Sequence, residues 1–151
     1  MLSSDGKNKS FDASADGYVR GEGAGALVIM PLVEAERRRC AVLAVIRGSS
    51  VNQDGKSASF TAPNGSAQRD LLRRALSAAN LEAEDIAYLE AHGTGTALGD
   101  PIEWGAIRDV LLGGPESVAA PPLVIGAVKS SIGHLEGTLS IRVWNSIRFN
   151  I

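Results

Sequence analysis

Glu90-Ala91-His92-Gly93-Thr94-Gly95-Thr96, running on into Gly99-Asp100-Pro101, is the stretch from which the fold is read. Ahead of it, Ile86-Ala87-Tyr88-Leu89 is short, apolar and rich in strand formers, and the glycines after His92 stop it as a strand normally stops. His92 is therefore expected at the carboxyl end of a strand, the edge of an α/β sheet where loops converge on a ligand crevice. Behind it, Asp100 is expected to cap a helix with Pro101 first and Glu103 third. Ile102, Ala106, Ile107, Val110 and Leu111 then fall on one apolar stripe.

Working outward, Leu123-Val124-Ile125-Gly126-Ala127-Val128 reads as a second buried strand. It leads into the loop Lys129-Ser130-Ser131-Ile132-Gly133-His134-Leu135-Glu136-Gly137, so the second and last histidine repeats the placement of the first. Between the two histidines, Gly113-Gly114 and Pro121-Pro122 bracket a surface loop. Upstream, Ser66 opens a helix with Ala67, Leu71, Leu72, Ala75, Leu76 and Ala79 on one face, while Arg69, Asp70 and Arg73 point away. Gly48 to Gly65 is a long loop rich in Ser, Asn, Asp, Gly and Pro. Further upstream, Ala26–Met30 and Ala41–Ile46 read as buried strands flanking a short helix over Val33–Arg39. Alternating strands and helices favour a mainly parallel sheet covered on both faces.

Phe11 to Gly25 packs charges and glycines into a short span. Its Gly21-x-Gly23-x-Gly25 spacing precedes an apolar strand rather than following one, the wrong context for a dinucleotide loop. Glycines that let strands pack closely are the better reading.

A chain of 151 residues, 44% hydrophobic and 21% charged, is compatible with a single globular domain that buries a core. A net charge of -2 argues against nucleic acid or an anionic membrane as partner. The longest apolar run, Ala24 to Val33, is too short to span a bilayer and contains Pro31, and Met1-Leu2-Ser3-Ser4-Asp5 has no signal-peptide character. A cytoplasmic location is expected. The single cysteine, Cys40, has no internal disulfide partner. It sits beside Arg37-Arg38-Arg39, which favours a thiolate, but small-residue packing accounts for it without a reactive role.

Each histidine taken alone reads as a hydrogen-bonded structural residue; taken together, two histidines on glycine-flanked loops past apolar strands read as a pair meeting in one crevice. A metal site is disfavoured, because no third ligand stands at zinc spacing and Lys129 would oppose a cation.

Phe11 to Gly25, Val51-Asn52-Gln53-Asp54-Gly55, Glu90 to Glu103 and Val128 to Gly137, in that order, resemble the ketosynthase (β-ketoacyl synthase) domain of modular type I polyketide synthases. The resemblance implies a thiolase-like α/β fold, two duplicated halves with layers α-β-α-β-α. Residues 1–60 would close the first half and 61–137 open the second. In that family an active-site cysteine takes an acyl chain from a carrier-protein thioester and condenses it with a malonyl-type extender that loses carbon dioxide. The resemblance makes His92 and His134 the catalytic pair that promotes decarboxylation and holds the enolate oxygen. Lys129 resembles the active-site lysine, while Thr94 and Thr96 look like the residues that bind the phosphopantetheine arm. Glu136 and Asp100 would support them from behind. It further implies acyl carrier protein and acyl and malonyl-type thioesters as partners, a homodimer in the intact domain, and no cofactor or metal bound to the chain.

The departures are as specific as the match. The family's Thr-Ala-Cys-Ser-Ser nucleophile motif is absent and Cys40 does not match it, so the chain is expected to be inactive alone. Asn8 stands where many members carry cysteine, and Met1 aligns with an internal methionine, as at an interior entry point. After Gly137 the family continues with a small-residue helix, whereas residues 138–151 alternate apolar and polar as a strand does and read as a foreign tail. A non-catalytic interaction module derived from a ketosynthase, or a thiolase-type enzyme, are the alternative readings.

Overall fold

A computed structural model describes residues 2–57, 62–114 and 122–136. Its centre is a β-α-β unit. Strand β1 (Tyr88–Glu90) pairs in parallel with strand β2 (Val124–Gly126), in the register Tyr88 with Val124 and Glu90 with Gly126. Helix α3 (Gly99–Leu111) lies between them in sequence, as parallel neighbours require. Helix α2 (Gly65–Ala79) packs on α3, and Arg69 of α2 reaches Asp109 of α3 at 3.4 Å. That ion pair turns Arg69 toward the neighbouring helix, where the helical pattern alone points it to solvent.

The core follows the expected stripes. Leu89 of β1 and Ile107 and Leu111 of α3 are buried together, with Leu76, Ile86, Val110 and Ile125 packed around them. Asn64 starts α2 by accepting from the amides of Ser66 and Ala67, and Asn80 ends it in the left-handed conformation at φ 52°. A 3₁₀ turn over Ala83–Asp85 then leads into β1.

Two expected strands are not formed. Ala26–Met30 and Ala41–Ile46 have no regular structure, and only the short helix α1 (Leu32–Arg37) lies between them. A strand needs a neighbour for its backbone N–H and C=O groups, and among the described residues neither stretch has one. The sheet of two strands is accordingly covered on one face only: Leu89 is buried, whereas Val124 is 60% exposed. The 48–65 loop yields its last residue to α2, residues 58–61 and 115–121 lie outside the described residues, and so does the strand expected over 138–151.

The cost of the missing neighbours is apolar surface. Leu27, Val28 and Ile29 are 73%, 92% and 69% exposed, and Leu43 is 87% exposed. A contiguous run of this kind invites association. Size-exclusion chromatography of the purified chain is expected to show species larger than a 15.7 kDa monomer that brighten a hydrophobic dye. A monodisperse monomer without dye binding would show that these stretches are covered in solution.

Candidate functional site

The first histidine is carried in by β1. The ladder continues one residue past the strand, where the Ala91 amide donates to the Gly126 carbonyl at 2.8 Å, and the chain then turns sharply. Gly93 and Gly95 take φ of 46° and 75°, values that suit glycine, and they let the backbone fold back on itself beside Ser10 and Phe11.

Two carboxylates near the start of α3, Asp100 in its first turn and Glu103 just beyond, hold this loop. Glu103, 7% exposed, accepts the amides of His92 at 2.7 Å and Gly93 at 2.8 Å. Asp100, 3% exposed, accepts the Gly95 amide at 3.1 Å, the Thr96 amide at 3.4 Å and the Phe11 amide at 2.7 Å. The expected helix-cap role of Asp100 is therefore corrected: helix α3 begins at Gly99, and the Asp100 carboxylate turns back to the loop. Leu98 stands at the cap position without a side-chain cap, and the Thr96 hydroxyl accepts the Gly99 amide at 3.1 Å, with the Thr94 hydroxyl 3.3 Å away from it. Each buried charge is matched by amide dipoles, the condition under which burial is tolerated.

The N-terminal segment closes over the loop. Ser10 and Asn8 both donate to the Gly93 carbonyl, and the Gly17 amide donates to the Gly95 carbonyl at 2.9 Å. Asn8, buried, also accepts the Val19 amide at 3.3 Å, so one amide side chain ties two segments together.

The second histidine arrives from β2. The Glu90 carboxylate accepts the Val128 amide at 2.6 Å, which fixes the start of α4 (Lys129–Ile132), a single helical turn where a loop was expected. Lys129 is 6% exposed. Gly133 at φ 76° then reverses the chain into a short parallel bridge between His134 and Arg20. In it the His134 amide donates to the Val19 carbonyl at 2.6 Å and the Gly21 amide to the His134 carbonyl at 3.0 Å. A side chain at Gly21 would collide with the Ile132 carbonyl oxygen, and one at Gly23 would lie 2.8 Å from Leu135. The close-packing reading of this glycine run holds for Gly21 and Gly23, whereas Gly25 has open space around it.

The two imidazoles meet. Their ring centroids are 5.5 Å apart with planes at 89°, and Tyr18 packs edge-on against His134 at 5.3 Å. The Glu136 amide donates to His134 Nδ1 at 2.9 Å, so this nitrogen is the acceptor and Nε2 carries the hydrogen. Burial, and then the Lys129 charge, hold the His134 pKa below the ordinary histidine value against an opposing pull from Glu136. The ring is thus neutral at pH 7 and donates from Nε2. Glu136 is exposed and pairs with Arg20 at 2.7 Å, and that contact holds its carboxyl below the usual range.

Sequence reasoning misses Glu103, Glu90, Asn8 and Tyr18 as parts of this arrangement. For Glu103 a signal exists, since Asp100-x-x-Glu103 puts two carboxylates on one turn, but the spacing alone reads as capping the helix rather than gripping the loop before it. Cys40 is exposed after α1, with its amide donating to the Ala35 carbonyl at 2.9 Å. No helix among the described residues is long and apolar enough to cross a membrane.

Comparison with known proteins gives a consistent picture. The family described as beta-ketoacyl synthase, C-terminal domain, matches residues 43–142, and its N-terminal domain counterpart matches residues 1–35. One subunit of the phenolphthiocerol/phthiocerol polyketide synthase of Mycobacterium tuberculosis is 52% identical over 141 residues, 93% of this chain and 6% of the relative. Another subunit of that synthase is 51% identical over 93% of this chain and 7% of its own length. The chain thus spans less than a tenth of these relatives. Among solved structures, the ketosynthase from module 6 of the bacillaene synthase of Bacillus subtilis 168, in its C167S form, superposes with a TM-score of 0.83 at 46% identity, covering 89% of this chain and 24% of that one. An oxazolomycin ketosynthase domain from Streptomyces albus JA3453 gives 0.81 at 44%, covering 88% and 23%.

Proposed function

This chain belongs to the β-ketoacyl synthase family and has the thiolase-like fold of ketosynthases over the part it spans, and from that premise we propose that it supplies the decarboxylating half of a polyketide-synthase condensation site. The observation that carries the reading is the pair of imidazoles from two parallel strand ends, 5.5 Å apart, with His134 held neutral as an Nε2 donor. When a malonyl-type thioester loses carbon dioxide, negative charge develops on its thioester oxygen. Preorganised donors about 2.7–3.1 Å from that oxygen lower the barrier because they need not reorient. His134 donates from Nε2 and His92 acts beside it. The buried Lys129 ammonium adds a fixed positive charge next to His134 that favours an anion and keeps the imidazole neutral. The substrates are acyl and malonyl-type groups on the phosphopantetheine arm of acyl carrier protein, with Thr94 and Thr96 as the residues that bind the arm. The carbon–carbon bond then forms as the enolate carbon attacks an acyl thioester on a cysteine that another part of the synthase provides, breaking the acyl C–S bond and releasing the cysteine thiolate.

The reading is tested by grafting residues 2–136 into the bacillaene module 6 ketosynthase in place of the matching segment. Acyl loading and decarboxylative condensation are both expected to survive. A graft that folds and loads but does not decarboxylate malonyl carrier protein overturns the reading. The isolated chain, in contrast, is expected to give no condensation product, because no activated thiolate is present. An acyl adduct on Cys40 that turns over with malonyl carrier protein, detected by intact mass, would contradict this.

A further inference from the structure

Backbone pairing through Val19 and Gly21 fixes where His134 sits, but it does not fix the imidazole. Rotation about the side chain and the choice of protonated nitrogen remain open, and what settles both is the Glu136 amide on Nδ1. The residue that carries this amide stands at φ 48°, a left-handed conformation that a non-glycine residue rarely takes. Something must favour it. The Glu136 side chain supplies the handle: Oε1 accepts from Arg20 Nε at 2.7 Å and lies 3.4 Å from the Tyr18 hydroxyl. Tyr18 in turn packs its ring on His134. Arg20 and Tyr18 come from the N-terminal segment and lie on the strap that pairs with His134, so their positions are set independently of Glu136.

We propose that the Arg20–Glu136 ion pair is a positioning clamp: it holds Glu136 against the strap, and thereby keeps the Glu136 amide on His134 Nδ1 so that Nε2 is the nitrogen that carries the hydrogen. Resting on the function proposed above, this assigns Arg20, Glu136 and Tyr18 as positioning residues for the reaction. The pair is exposed, its side chains 66% and 50% accessible, so its loss affects overall stability little. The effect is local and falls on the imidazole.

The test uses this chain itself, labelled with ¹⁵N at histidine, which occurs only twice. Magic-angle-spinning spectra of sedimented protein at pH 8 report the tautomer whatever the association state, and His92→Gln assigns the signals. In the parent, His134 is expected to show one Nε2–H tautomer. Arg20→Met and Glu136→Gln are each expected to shift its tautomer ratio by about two- to fivefold, the range an exposed ion pair supports, with unchanged unfolding midpoints. The reversed pair Arg20→Glu with Glu136→Arg should restore the parent spectrum. An unchanged His134 spectrum in both single variants, or loss of tautomer without rescue in the reversed pair, overturns the clamp. Because the readout requires no turnover, failure of the condensation reading in the grafted enzyme leaves this result standing or falling by itself.

Discussion

In the grafted ketosynthase, His92→Ala and His134→Ala are each expected to lower decarboxylative condensation by on the order of 10²–10³, with acyl loading reduced far less. The asymmetry follows from when charge appears. Loading transfers an acyl group to a thiolate, whereas the enolate oxygen exists only after carbon dioxide has left, and it is that oxygen the imidazoles serve. Loss of His134 also removes the ring that Tyr18 packs against, so a midpoint measurement accompanies the kinetics. Radiolabelled acyl transfer measured beside carbon dioxide release separates the two steps. Equal loss of both in either variant would mean that the histidine shapes the fold and not the reaction.

The second large effect is expected at the first turn of α3. Asp100→Ala in the same graft removes the acceptor for the amides of Gly95, Thr96 and Phe11, the first of these contacts buried and the other two partly buried. Orphaned buried donors cost about 1–3 kcal/mol each, and partial relaxation lowers the sum, so a loss of about 3 kcal/mol is expected. Glu103→Ala removes the acceptor for His92 and Gly93 and should cost about 2 kcal/mol on the same grounds. Urea unfolding checks both. Asparagine at 100 or glutamine at 103 keeps one acceptor oxygen and should recover part of the loss. A change under about 0.5 kcal/mol in the alanine variants, the ordinary range for surface sites, would show that the loop holds itself.

The local stretches that were legible in sequence share a property: their partners are close by. β1, the glycine turn, α2 and α3 each bury a stripe or cap an end using residues within a few turns, and the pattern of 3.6 or of alternation states this directly. Ala26–Met30 and Ala41–Ile46 carry strand patterns of the same strength, yet pattern expresses only an inclination, and a strand forms when a second backbone supplies hydrogen bonds. Asp100 and Glu103 show the opposite case. Their spacing is visible, but whether a carboxylate near a helix start grips its own helix or the preceding loop depends on which amides face it, and the sharp turn at Gly93 and Gly95 decides that. Asn8, Tyr18 and Arg20 were out of reach for a different reason: their partners lie 85 to 118 positions away, and no local pattern encodes contacts of such separation.

That separation also sets an order of events during synthesis. Arg20 meets Glu136 116 positions further along the chain, so the segment that straps His134 leaves the ribosome long before the histidine does. At about 5–20 residues per second, it waits roughly 6–23 seconds for that partner. Gly93 and Gly95, which Asn8, Ser10 and Gly17 also bind, emerge earlier and give the strap a place to dock meanwhile. The His92 side of the site is therefore expected to assemble first, with the His134 side closing onto it as the last long loop is drawn in.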